Sequence, residues 1–119
     1  RGGFFFGPTV LENVEEGMPV FDQEVFGPIL SLMRFNNTEE AISLANKSMY
    51  GLGASVWSAC DLTIDRMIRS IESGMVFVNE FTKSDPRLPF GGIKNSGIGR
   101  ELSFFGLKEF SNIKTVSIK

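Results

Sequence analysis

Apolar runs and helix-spaced patterns alternate along this chain, and no other feature narrows its possible folds as much. "MVFVN", residues 75–79, is β-branched and aromatic with little polarity, as expected of a strand buried on both faces. Ahead of it Ile64, Met67, Ile68 and Ile71 fall at i, i+3, i+4 and i+7, the stripe of an amphipathic helix. Asp61 is placed to cap that helix and Gly74 to end it as a C′ residue. "GASVWS" is the strand candidate before it. For an earlier helix Asn37 or Thr38 offers the N-cap oxygen, with Glu39 and Glu40 in the first turn and Ile42, Ala45 and Met49 at helical spacing. "ILSLMRF", residues 29–35, reads as a strand after the Gly27-Pro28 breaker, and "FFF" and "TVL" are extended candidates split by Gly7-Pro8. Strand, helix, strand, helix, strand in succession predicts an α/β fold with a parallel sheet, right-handed crossovers and functional loops at the carboxyl ends of the strands.

The pattern breaks after Asn79. The irregular stretch up to Gly97 is longer than most connections in compact domains and is a candidate working loop. "GRELSFFGLKEF" has helical character weakened by Gly106, and "KTVSIK" closes the chain as a short alternating strand at an edge, available to a partner.

Composition removes several function classes. A chain of 119 residues fits one modest domain that buries roughly two thirds of its unfolded surface. A net charge of -2 without a basic block argues against nucleic acid as a partner. No apolar run reaches the roughly 18 residues of a membrane span and no signal-peptide pattern opens the chain, so a cytoplasmic, non-membrane protein is expected. One cysteine and no histidine leave no internal disulfide, no usual zinc ligand set and no Ser-His or Cys-His pair; no metal is expected. The start on Arg1-Gly2-Gly3 reads as the middle of something larger, so the chain is expected to be a fragment.

"LPFGGIKNSGIGRE", residues 88–101, packs four glycines beside Lys94, Ser96, Arg100 and Glu101 and invites a phosphate-cradle reading. Gly92 and Gly97 have the Walker spacing, but Ile98 and Gly99 stand where Lys and Ser/Thr are needed. Gly97 and Gly99 begin a dinucleotide pattern that fails at Leu102. Cys60, beside a helix start, has no base to activate it. "QEVFGPI", residues 23–29, is more informative. Glu24 in a loop can accept from paired sugar hydroxyls while Phe26 packs on the adjacent base, although an exposed Glu before a core Phe accounts for the same residues.

"EVFGPI", "ANKSMYGLGASVW", "SGMVFVNE", "PFGGIKNSGIGRE" and "EFSNIKTV", in that order, resemble the C-terminal motifs of the aldehyde dehydrogenase superfamily, and "KSDPRLPFGG" is similar to the corresponding stretch of succinate-semialdehyde dehydrogenases. The resemblance implies part of a three-layer, parallel-sheet catalytic domain over residues 1–110, with residues 111–119 as the strand of an oligomerisation arm. It implies oxidation of a small aldehyde to the acid through a cysteine thiohemiacetal, hydride passing to NAD or NADP. The nucleophilic cysteine, the oxyanion-hole asparagine and the general-base glutamate lie upstream of these motifs, so this chain holds no catalytic residue and is expected to be inactive by itself.

Carried over residue by residue, Glu24 matches the glutamate that holds the nicotinamide ribose and Phe26 the aromatic residue beside it. Phe90 matches a ring near the aldehyde tunnel. Ser84 matches the position that contacts the substrate carboxylate in succinate-semialdehyde enzymes, with Arg87 as a nearby cation. Glu101 matches a carboxylate near the active-site water path, or else pairs with Arg100 or Lys94. Asn79 is expected to tie down the loop that follows it. The implied partners are the aldehyde and further copies of the full-length chain in a homo-oligomer. A non-catalytic binding or assembly module of the same fold is the alternative.

Overall fold

Gly7-Pro8 and Gly27-Pro28 end at the first two strands, β1 (Thr9–Leu11) and, beyond the short helix α1 (Pro19–Asp22), β2 (Ile29–Ser31). These strands pair in parallel, Thr9 opposite Ile29 and Leu11 opposite Ser31. They belong to the first of two compact units, Arg1–Ser48 and Met49–Lys119, in a computed structural model that describes residues 2–119. The first unit ends with helix α2 (Thr38–Asn46). Asn37 caps it: its Oδ1 accepts from the Glu40 N–H at 2.9 Å. Glu40 reaches back, its Oε2 accepting from the Asn36 N–H at 2.7 Å and from the Asn36 side-chain amide at 2.9 Å. Those bonds, the backbone one foremost, hold the Glu40 carboxyl below its ordinary range. A cap of this kind contributes about 1 kcal/mol.

The second unit runs β3 (Tyr50–Gly51), β4 (Gly53–Val56), helix α3 (Asp61–Ser70), β5 (Met75–Val78), β6 (Ile93–Lys94) and helix α4 (Ser103–Glu109). β4 and β5 are parallel, from Gly53 opposite Met75 to Val56 opposite Val78, with α3 as their crossover. β3 and β6 are antiparallel. The alternation thus produces parallel pairing in each unit, as read from the sequence. The strands form three two-stranded pairs among the described residues.

Several sequence expectations need correction. "FFF" forms no strand and its rings are exposed, and the "ILSLMRF" strand stops at Ser31. In α2 Ile42 is buried, but Ala45 is exposed and Met49 lies beyond the helix end. The N-cap of α3 is Cys60, which puts Asp61 in the first turn, where its charge still suits the dipole. Ile64, Met67 and Ile71 are half-buried, whereas Ile68 is turned outward. β5 is half-buried throughout, not enclosed, and among the described residues β4 is the strand it pairs with. Residues 111–119 contain no strand; a strand exists only against a ladder partner, and none of the described residues supplies one. Among the described residues the buried hydrophobic side chains are Val14, Ile42 and Val56, a thinner core than the length allows.

Gly74 also differs from its reading. Helix α3 is already closed by Ile71, whose N–H reaches the Met67 carbonyl at 2.9 Å. Gly74 lies against another stretch of backbone, where a methyl group would come 1.9 Å from the Gly91 oxygen. Gly106 likewise serves close approach, since a methyl there would lie 2.7 Å from the Glu101 carbonyl carbon. No helix among the described residues is long and apolar enough to cross a membrane.

Gly74→Ala is predicted to destabilise the protein by about 1–3 kcal/mol, the usual cost of overpacking. Chemical denaturation followed by circular dichroism measures it, and an unchanged midpoint would contradict the contact.

Candidate functional site

β5 delivers the chain into the long loop at its carboxyl end, and the start of that loop is pinned. Asn79 has φ 52°, a left-handed conformation that Asn tolerates better than most residues. Its N–H donates to the Val56 carbonyl at 2.8 Å. Its side chain grips Ser58: Oδ1 accepts from the Ser58 N–H and Nδ2 donates to the Ser58 carbonyl, each at 3.0 Å. Asn79 therefore ties the end of β5 to the loop after β4, not to the loop that follows it. The Ser55 hydroxyl donates to the Glu80 carbonyl, and Trp57 meets Phe81 edge-on at 5.4 Å between ring centroids.

Beyond this anchor, β5 and the loop enclose a cleft of about 500 Å³. Its apolar wall includes β5 and Phe90; its charged rim is Glu80, Lys83, Asp85 and Arg87. The charges are matched within the rim. Lys83 pairs with Glu80, while Arg87 donates from Nε to Asp85 Oδ1 at 2.9 Å and from Nη2 to Asp85 Oδ2 at 2.6 Å. The Asp85 Oδ1 also accepts the Arg87 N–H at 2.9 Å. These hydrogen bonds keep the Asp85 carboxyl far below the usual carboxylate range and raise Arg87. The guanidinium expected to stand as a spare cation is thus already engaged with a carboxylate. Ser84 is exposed on the same loop and is not among the residues lining the cleft.

The glycine-rich stretch folds back on itself. Phe90 and Glu101 exchange two backbone hydrogen bonds, each 2.8 Å. Inside this closure two amides are already used: Asn95 donates to the Met49 carbonyl at 3.0 Å and Ser96 to the Ile93 carbonyl at 3.1 Å. The Ser96 hydroxyl accepts from the Gly51 N–H at 3.0 Å. N–H groups spent on carbonyls do not form the anion-facing nest a phosphate needs. The side chain of Glu101 is exposed, and the partners suggested for it are used elsewhere. Lys94 pairs with Glu72 at 2.8 Å, and Arg100 donates to the carbonyls of Gly92 and Gly99.

Glu24 and Phe26 lie in the first unit, on the loop between α1 and β2. The carboxylate is exposed and the ring, expected in the core on the simpler reading, is 93% exposed. An open carboxylate beside an open ring suits a ribose diol and its neighbouring base. Cys60 is exposed, and the polar groups beside it, the Thr63 side chain first and then the Thr63 and Leu62 amides, lower its thiol pKa. Among the described residues no cluster of His, Cys, Asp and Glu could hold a metal ion.

Comparison with known proteins gives these positions a context. Residues 1–116 match the aldehyde dehydrogenase family. Succinate-semialdehyde dehydrogenase (NADP+) 1 of Mycobacterium tuberculosis is 47% identical over 118 residues, covering 99% of this chain and 26% of that protein. A probable succinate-semialdehyde dehydrogenase (NADP+) of Synechocystis is 51% identical over 116 residues, covering 98% of this chain and again 26% of the relative. Among solved structures, Gox0499, studied for its cofactor and substrate selection, superposes with a TM-score of 0.94 at 50% identity, over 100% of this chain and 26% of that one. Betaine aldehyde dehydrogenase of Staphylococcus aureus in complex with NAD+ gives 0.87 at 42% identity, over 91% and 21%. The chain therefore spans about a quarter of the length of these relatives.

Asn79→Ala is predicted to cost about 1 kcal/mol, since it removes both bonds to Ser58 and the residue type that tolerates this backbone. The urea midpoint of the protein measures the loss, and a change confined to residues after Glu80 in hydrogen exchange would speak for the simpler loop-tying role.

Proposed function

The chain belongs to the aldehyde dehydrogenase family, and on that premise we propose that it is the C-terminal portion of an NAD(P)-dependent enzyme oxidising succinate semialdehyde to the dicarboxylic acid. The observation that carries this reading is the cleft along β5, walled by Phe90 and rimmed by Glu80, Lys83, Asp85 and Arg87, in a chain two of whose matched relatives are named as succinate-semialdehyde dehydrogenases. The cysteine that forms the thiohemiacetal, the oxyanion-hole asparagine and the general base belong to other parts of the full-length enzyme. This chain supplies surfaces that bind and orient.

Glu24 holds the nicotinamide ribose by accepting from its hydroxyls, and Phe26 packs beside it; the dinucleotide, when bound, supplies the hydride acceptor. The exposure of both side chains supports this, because each is open to a ligand. Phe90 shields the acyl group from water. Ser84 hydrogen-bonds the distal carboxylate of the substrate, and the N–H groups of Arg87 that do not face Asp85 add positive charge there. Glu101 lines the path of the hydrolytic water. Residues 111–119, with Ile113, Val116 and Ile118 exposed, form the oligomerisation arm, and residues 1–110 the catalytic-domain part.

In the full-length enzyme Glu24→Gln is expected to raise the Michaelis constant for the cofactor or to lower turnover, roughly tenfold, because an ionised acceptor becomes a neutral amide. Steady-state kinetics with both constants unchanged would refute the ribose role. Ser84→Ala is expected to lower kcat/KM for succinate semialdehyde several-fold more than for an uncharged aldehyde of similar length. Equal losses on the two aldehydes would sink the carboxylate assignment.

A further inference from the structure

Phe90 faces two hollows. It lines the cleft along β5 and also a depression of about 410 Å³ bounded by Ser96, Arg100 and Glu101. Where its ring stands is decided by the backbone that carries it. The paired N–H···O bonds between Phe90 and Glu101 close residues 91–100 into a loop. Within that loop the half-buried Arg100 spans both limbs: its Nη1 donates to the Gly92 carbonyl at 2.9 Å and to the Gly99 carbonyl at 2.6 Å. One nitrogen thus joins the residue two places after Phe90 to the residue two places before Glu101.

Two carbonyl oxygens that converge on one point repel each other through the negative ends of their dipoles, and a cationic donor between them turns that repulsion into two charge-assisted hydrogen bonds. Without the cation the limbs would separate, and the Phe90–Glu101 pairing that lies next to them would lose its support. We propose that Arg100 is the positioning residue for Phe90: its guanidinium clamps the limbs of the 91–100 loop and so fixes the wall that Phe90 presents to the substrate. This inference rests on the reading that the cleft along β5 receives the aldehyde.

The test uses the full-length enzyme with three variants. Arg100→Met removes the donors at similar length, Arg100→Lys retains a cationic nitrogen, and Phe90→Ala asks separately whether the ring contacts the substrate. Arg100→Met is expected to raise the KM for the aldehyde roughly tenfold, the loss of about one charge-assisted hydrogen bond. The kcat and the cofactor KM should stay within about twofold. Amide exchange at Phe90 and Glu101 should accelerate about tenfold or more, with β4 and β5 unaffected, and Arg100→Lys should recover part of both effects.

An unchanged aldehyde KM in Arg100→Met, alongside a raised one in Phe90→Ala, would overturn the clamp and leave the aldehyde reading standing. Unchanged exchange at Phe90 and Glu101 would overturn it whatever the kinetics. If Phe90→Ala leaves the KM unchanged while Arg100→Met still frees those two amides, the clamp is supported and the aldehyde reading falls. Should Arg100→Met unfold, Arg100→Lys decides by the same two readouts.

Discussion

Three backbone segments meet at Gly74, and the geometry of the second unit depends on that crossing. Its N–H donates to the Gly51 carbonyl at 2.9 Å, which joins the head of β5 to the end of β3. Its Cα sits where any side chain would strike Gly91, so the glycine-rich loop lies directly on the start of the strand. The close approach sets how near Phe90 comes to β5. Because the loop begins where the strand begins, both walls of the cleft share one origin.

At the other end of β5 the chain is held by side chains. Asn79 reaches to Ser58, Ser55 to the Glu80 carbonyl, and Trp57 to Phe81. All three contacts come from β4 or the turn after it, so the parallel pair and the mouth of the long loop form one construction. The loop between these fixed ends carries the charged rim. Rigid ends with a variable middle are what loops that carry specificity generally need.

Legibility in the sequence followed the range of each interaction. The cap at Asn37 and the parallel pairing of β4 with β5 across α3 depend on neighbours a few residues apart or on a periodic stripe, and both were readable. The shift of the α3 cap from Asp61 to Cys60 is a one-residue matter: Cys60 supplies the extended backbone ahead of the first turn without a side-chain cap bond, and Asp61 follows it. Gly74 and Gly106 looked like a helix stop and a helix weakness because their partners, Gly91 and Glu101, are named only by the fold. The strands β3 and β6, two residues each, were too short to leave a pattern. Arg100 left no mark of its role, because its acceptors are backbone carbonyls, which every residue possesses. Of the residues proposed for substrate and cofactor, Glu24 and Phe26 offered only a carboxylate beside a ring, and Ser84 offered nothing local; motif order, not periodicity, pointed to the roles proposed for them.

The matched charges on the cleft rim have an electrostatic consequence. Glu80 with Lys83, and Asp85 with Arg87, are close couples, and a close couple presents to its surroundings a dipole rather than a charge. The field of a dipole decays faster with distance than that of a lone ion, and salt with a Debye length of about 8 Å weakens it further. The rim therefore offers little long-range pull on an approaching anion. Whatever preference the cleft has for a carboxylated molecule is exercised at contact, through the placement of individual N–H groups.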